Sequence, residues 1–498
     1  MRHGSWHPGR SKTAARLRIV LLLFAVALLC GGDALAGAPA SLQLPRATVT
    51  GKPPEIAPVP QPLSDVLSPP VMVPGGYPMS LTARVGARQV KASWTYVDGL
   101  PGLNGQLDSW LLSSLDAAAS PAGGHYRPAM ALNADQHPGP GPGIILSAEP
   151  VQARGTVIVV REKVKNTGTD GSRTVSSSTV YADTVTGEVH GAAELLRPEA
   201  VAGIRSRVRG VPPDIAGPSP QDPALADMLL DPAGELQVTT HGPAAPGRAG
   251  EEVTTTIDAR DTGAVLSDFG RKVLGQLGAA VVPPPATAPA LRHVNCDLVP
   301  CAALTYDDGP DAKTTPQLLG ILKERNAHAT FFMIGSNTAA NPATARQIAD
   351  AGHAVGNHTF SHADLTQLSA ASVRTEMDRA DAAIRAATGT SPTFMRPPYG
   401  AANAAVQAAV GKPLIVWAVD SLDWQSKNPA VFLPKVLKEI TPGAMVLMHD
   451  VYPTTIAGQP ELITSLQTQG YRLVTVPQLF EGTPLAAGQV NRSRPERK

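Results

Sequence analysis

Residues Ala302-Ala303-Leu304-Thr305-Tyr306-Asp307-Asp308-Gly309-Pro310 run from a nearly continuous apolar segment straight into two adjacent carboxylates and a glycine-proline turn. Five apolar or β-prone residues with no polar alternation read as a strand covered on both faces, the habit of parallel sheets. Outward from it the texture alternates. Helical patterns at 315–325, 343–351 and 371–388 are interleaved with short apolar strands at 329–334, 353–357, 414–418 and 444–448. This alternation predicts an α/β region with crossover helices, open or closed as a barrel, whose functional groups gather at the carboxyl ends of its strands.

Toward the N-terminus, residues 281–290 are proline-rich and read as a stiff connector that divides residues 291–482 from an earlier region. In that region, 80–280, Leu103, Leu107, Trp110, Leu111 and Leu115 recur at helical spacing, and 156–164, 173–183, 237–240 and 253–257 read as strands. A smaller α+β domain of unknown role with an antiparallel sheet is expected there. Residues 37–79 hold eleven prolines and read as a spacer; the polar, basic tail 483–498 is expected to fray. Arg2, Arg10, Lys12, Arg16 and Arg18 precede an apolar run at 19–29, and Ala34-Leu35-Ala36 follows, which is the layout of a secretory signal over 1–36. The protein is therefore expected to be secreted or extracellular, and possible association with the cell wall follows from the same setting. An uncleaved membrane anchor and lipidation at Cys30 are the alternatives.

The chain has 498 residues, 43% of them hydrophobic, so there is ample matter for more than one core. Lys and Arg number 42 against 41 Asp and Glu, a net charge of +1, which offers nothing to a polyanion; nucleic acid is excluded as an expected partner. Without Cys30, the exported chain keeps Cys296 and Cys301, whose spacing predicts a short-loop disulfide, with two buried thiols as the alternative.

Five features sit at expected strand ends. Asp307 and Asp308 repel each other unless a cation lies nearby, so one is a candidate ligand and the other a candidate base, although Asp-Gly also makes an ordinary turn. His358 and His362 are spaced i, i+4, on one face if the segment turns helically, and with a carboxylate they make a three-ligand divalent site with open positions. Arg396, in Arg396-Pro397-Pro398-Tyr399-Gly400, could hold an aspartate as its ion-pair partner. Asp420-Ser421-Leu422-Asp423-Trp424 brings acid to another strand end, and His449 closes the strand at 444–448 with a side chain suited to giving up a proton near neutral pH.

In order, identity and spacing this set resembles the five motifs of the polysaccharide deacetylases, carbohydrate esterase family four, over residues 296–480. The resemblance implies a distorted (β/α) barrel for 291–482 and one divalent metal, zinc foremost with cobalt, manganese or nickel as alternatives. It assigns Asp308, His358 and His362 to the metal, Asp307 to the general base with Arg396 orienting it, and the Tyr399 N–H to the oxyanion. His449 would be the general acid, oriented by Asp423, and Trp424 and Leu447 would line the acetyl pocket. The expected activity is removal of acetyl groups from N-acetylated sugars of a cell-envelope polysaccharide such as peptidoglycan. Chitin oligomers, O-acetylated xylan and a non-catalytic glycan-binding role are the alternatives. A membrane partner is expected only if the signal stays uncleaved. Non-haem iron oxygenases also use two histidines and a carboxylate, but that reading leaves Arg396 and His449 unexplained.

Overall fold

The computed structural model describes residues 71–120, 124–134, 143–168, 171–208, 223–242, 252–285 and 291–497. The expected signal, 1–36, lies outside the described residues, as does most of the expected spacer.

The first folded region opens with strands β1 (Gly76–Val85) and β2 (Arg88–Val97), earlier than the Ser80 start that the sequence suggests. With β3 (Gly143–Arg154), β4 (Val157–Thr167), β5 (Arg173–Asp183) and β6 (Val189–Gly191) they form one sheet in chain order. Every neighbouring pair is antiparallel except β2 and β3, which run parallel, a departure from the all-antiparallel expectation. That parallel pair needs a crossover, and helix Pro101–Ala119 supplies it, burying Leu103, Leu107, Leu111 and Leu115 on the sheet. Strands β7 (Met228–Leu230), β8 (Leu236–His241) and β9 (Glu252–Ile257) make a second sheet. Strand alternation explains the apolar run at the start of β4: Ile158 and Val160 join the core beneath the helix, while Val157 and Val159 join one shared with Leu230, Leu236 and Val238.

The second region is built on β10 (Cys301–Asp307), buried at every residue, with β11 (Thr330–Met333) and β12 (Ala354–Asn357) on one side. The later strands are β13 (Leu414–Ile415), β14 (Val419–Asp420), β15 (Met445–His449), β16 (Arg472–Leu473) and β17 (Val490–Asn491). β15 and then β14 flank β10 on its other side, and all these pairs are parallel. Single bridges from Asn357 to Met395 and from Met395 to Leu414 carry the pairing from β12 to β13. Since β13 and β14 lie on one stretch broken only at 416–418, the ring closes as a distorted (β/α) barrel. Helix Ala370–Thr388 shows how sharply the crossovers are punctuated: the Ser369 hydroxyl caps its first turn, and Gly389 ends it at φ 80°.

Residues 281–285 lie against the first region, Val282 donating to the Gly155 carbonyl at 2.6 Å. One hydrophobic core runs from Leu103, Leu107 and Ile158 to Leu298, Val299, Met445, Val476 and Phe480. His293 bridges Asp108 at 2.8 Å and Glu481 at 3.0 Å, and Arg497 pairs with Asp116 at 2.7 Å. The tail expected to fray is thus laid down on the fold, with β17 paired to β13 and Arg497 tied to the first region.

Candidate active site

Strand register builds the site. Asp307, last residue of β10, lies directly beside His449, last residue of β15. His358 follows the end of β12, and Arg396 follows the Met395 bridge. The functional groups therefore sit together at the carboxyl ends of the parallel strands, as expected for this architecture.

Arg396 is fully buried, and each nitrogen of its guanidinium has at least one acceptor. Nη1 donates to Asp307 Oδ1 and Thr305 Oγ1, each at 2.8 Å, while Nε and Nη2 donate to the Ile415 and Val416 carbonyls at 3.0 Å. The same group lies 4.1 Å from the Phe332 ring centroid. Asp307 is thereby held in one rotamer with a permanent counter-charge behind it.

Successive strand residues point apart, yet Asp307 and Asp308 must serve one site. The backbone resolves this by turning left-handed at Asp308, φ 74°, a conformation that Asp tolerates better than most residues. One atom each from Asp308, His358 and His362 lies within 4.8 Å of the others. Asp308 Oδ1 is 3.5 Å from His358 Nε2 and 3.3 Å from His362 Nε2, and it is buried with no hydrogen-bond partner. His358 Nδ1 must donate to the Arg396 carbonyl, 2.7 Å away, which leaves a neutral ring's Nε2 as a bare lone pair facing that carboxylate. Lone pairs converging on a buried oxygen are unfavourable without a cation, so these three residues fit a divalent metal. Burial works against the Asp308 charge, but the neighbouring His358, with His449 and His362, outweighs it and holds the carboxyl below its ordinary range. Burial lowers His362 toward the neutral form a ligand requires.

The i, i+4 spacing of the histidines does not reflect a helix. The segment is a loop with Thr359 at φ 63° and His362 at φ 59°, and it brings the two rings to 5.0 Å. Glu376, on helix Ala370–Thr388, pins this loop by accepting from Phe360 N at 2.9 Å, Ser361 N at 2.8 Å and Ser361 Oγ at 2.9 Å. Asn357 Oδ1 accepts from Thr359 N at 2.7 Å. The motif pattern did not single out Glu376 or Asn357 as supports.

On the other side, Asp423 is buried and reaches His449 twice, through Nδ1 and the backbone N–H, both at 2.9 Å. Thr455 and Ser421 donate to the same carboxylate. Burial alone would lower His449, but the hydrogen bond and charge of Asp423, with Asp307 and Asp308 beyond, push it up to about 9. Tyr399 adopts φ 62°, ψ 6° and sets its ring 4.8 Å from His362. Leu447 is buried on β15 and Trp424 is 45% exposed on the short helix Asp423–Ser426. Asp450, given no role by the sequence reading, is buried beside Gly309; Thr315 donates to it, and burial pushes its carboxyl up to about 7. Cys296 and Cys301 form a disulfide with their Cα atoms 5.4 Å apart, tying the entering chain to the first residue of β10.

The polysaccharide deacetylase family model matches residues 295–413. Over 186 residues the chain is 36% identical to a peptidoglycan-N-acetylglucosamine deacetylase of Bacillus cereus, covering 36% of this chain and 68% of that protein. The chain belongs to the polysaccharide deacetylase family. Two further members frame it. A chitooligosaccharide deacetylase of Bradyrhizobium sp. is 37% identical over 194 residues, 35% of this chain and 89% of that protein. The peptidoglycan-N-acetylglucosamine deacetylase PgdA of Listeria monocytogenes is 42% identical over 187 residues, 38% of this chain. There the deacetylase match spans only 40% of the Listeria protein's length.

Proposed function

We propose that this chain is an exported metal-dependent deacetylase that removes acetyl groups from N-acetylated sugars of a cell-envelope polysaccharide, peptidoglycan foremost. The observation that carries the reading is the register pairing of Asp307 with His449, each backed by an opposite charge, beside the Asp308, His358 and His362 cluster. The Bacillus and Listeria relatives, named as peptidoglycan-N-acetylglucosamine deacetylases, support the choice of glycan.

A divalent ion on Asp308, His358 and His362, zinc foremost, would polarise the acyl carbonyl and acidify a nearby water. Asp307, kept in place by Arg396, takes the proton of the attacking water as its oxygen bonds to the acetyl carbon. The carbonyl electrons move onto oxygen, where the Tyr399 N–H stabilises the charge; such donors contribute about 2.7–4 kcal/mol in comparable sites. The carbon–nitrogen bond then breaks, His449 gives its proton to nitrogen, and acetate and the free amine leave. Leu447 and Trp424 line the space for the acetyl methyl in this reading. Acetate release from purified peptidoglycan, chitin oligomers and acetylated xylan tests it. Peptidoglycan and chitin are expected to yield acetate with wild-type protein and not with Asp307→Asn; no release from any N-acetylated glycan by the zinc-loaded chain would sink it.

A further inference from the structure

Residues 333–337 run past both of the loops that carry the candidate metal ligands. The Met333 carbonyl accepts from His358 N at 3.0 Å, and Gly335 N and Ser336 N donate to the Thr359 and Phe360 carbonyls, each at 2.9 Å. On the Asp308 side, Ile334 N donates to the Gly309 carbonyl at 3.0 Å, and Asn337 Nδ2 donates to the Asp308 carbonyl at 2.8 Å. The stretch leaves the end of β11 and opens the short helix Gly335–Ala340. Glycine is needed where that helix begins. A Cβ on Gly335 would lie 2.7 Å from the Phe360 ring and 2.8 Å from Ala380 Cα, so a side chain there would push the helix off the histidine loop.

Asp308 depends on such a hold. Its φ of 74° is a conformation that a residue with a Cβ keeps only where the surroundings impose it, and its carboxylate joins the site only because the backbone turns there. With φ in the left-handed region, the remaining backbone freedom at Asp308 is ψ, which sets where its carbonyl points. Asn337 fixes that carbonyl directly, and Ile334 fixes the next one along the chain. A carbonyl can only accept, so the Asn337 amide must face it with its nitrogen. Of the contacts made by 333–337, the other four run backbone to backbone; the Asn337 bond is made by a side chain, and a substitution can remove it without breaking the chain path.

We infer that Asn337 is a positioning residue for the metal site: its amide locks the Asp308 peptide in the left-handed turn and thereby aims the Asp308 carboxylate at His358 and His362, from the same stretch of chain that holds the histidine loop. The inference rests on the assignment of a divalent ion to Asp308, His358 and His362.

The test is the zinc affinity of the full chain, read by competition with a chromophoric chelator, in Asn337→Leu, which keeps the shape of the side chain and removes the donor. The zinc Kd is expected to rise about tenfold, the low end of what losing a group that orients a metal ligand costs. The visible absorption of the cobalt-loaded chain should change with it, because that spectrum reports ligand geometry. Thermal unfolding in chelator measures the stability cost separately. Asn341→Leu is the control: its amide reaches the Pro310 carbonyl at 3.3 Å, further along the same turn, so its loss loosens the turn without releasing the Asp308 carbonyl. Asn337→Ala makes the same comparison should the leucine variant fail to fold. An affinity within about twofold of wild type in the folded variants, an unaltered cobalt spectrum, or an equal loss in Asn341→Leu would each overturn the positioning role. Zinc kept at full stoichiometry by His362→Ala would instead overturn the ligand set beneath it, whereas zinc lost there with an unmoved Asn337→Leu would remove Asn337 alone.

Discussion

Arg396→Met gives the most demanding test of the site. Methionine fills much of the same space, so the chief loss is the guanidinium, with its 2.8 Å bond to Asp307 and its bonds to Thr305, Ile415 and Val416. Asp307 is 3% exposed and cannot turn to water. Breaking a buried pair by removing one partner costs about 3–5 kcal/mol, chiefly because an uncompensated charge is left behind. Thr305 is not stranded, since its hydroxyl also reaches the Val446 carbonyl at 2.5 Å. Adding Asp307→Leu should therefore restore much of the loss, leaving the double variant at least about 2 kcal/mol more stable than the sum of single effects predicts. Urea unfolding in excess chelator, followed by near-ultraviolet circular dichroism, reads the cycle without metal linkage. Strict additivity, or an Arg396→Met variant within about 0.5 kcal/mol of wild type, would refute the view that Asp307 and Arg396 stabilise the fold as a coupled buried pair.

Four further outcomes are expected. His449 is protonated below about 9 and loses its proton above, so the alkaline limb of the deacetylation rate should lie no higher than about pH 9 and fall in Asp423→Asn; an unmoved limb would remove His449 as the acid. His362→Ala should abolish stoichiometric zinc measured by plasma mass spectrometry while unfolding stays cooperative, since Glu376 still pins the loop; full metal retention would contradict the ligand set. The Asp450 carboxyl is raised from 3.8 to about 7, so the folded state keeps a proton that the unfolded chain releases, and stability falls between those values as pH rises. In chelator, Asp450→Asn should match wild type near pH 4 and exceed it at pH 8, by about 4 kcal/mol at most; equal differences at both pH values would refute this. Non-reduced peptide mapping should find the Cys296–Cys301 peptide two hydrogens light, and free thiols at both would contradict the bridge.

Much of the barrel is legible because strands buried on both faces leave an apolar signature that needs no long-range knowledge. β10 reads directly from Ala302 to Tyr306, and its continuation through Asp307 follows from the pairing of that residue with His449. The misreadings arise where distant contacts decide local conformation. His358 and His362 converge through left-handed residues at Thr359 and His362, a conformation supported by Glu376 from another element, and no spacing rule contains that. The stretch 414–418 reads as one strand but breaks at 416–418, where the Val416 carbonyl turns to accept from Arg396. Arg497 looked like part of a loose basic tail because its partner, Asp116, lies far back in the chain.

The same long-range contacts explain why the site holds its charges in fixed places. Asp307 and His449 are neighbours in register, and left to themselves a buried carboxylate and imidazole could share one proton in either direction. Arg396 lies behind the first and Asp423 behind the second, so the electrostatically favoured arrangement is Asp307 ionised and His449 protonated. Those two backing groups carry opposite charges and offset each other, which leaves Asp308, unlike Asp307, without an arginine or lysine of the protein beside it among the described residues. That imbalance is what a divalent ion would correct, and it makes the metal site a consequence of the same electrostatic arrangement that assigns the acid and the base.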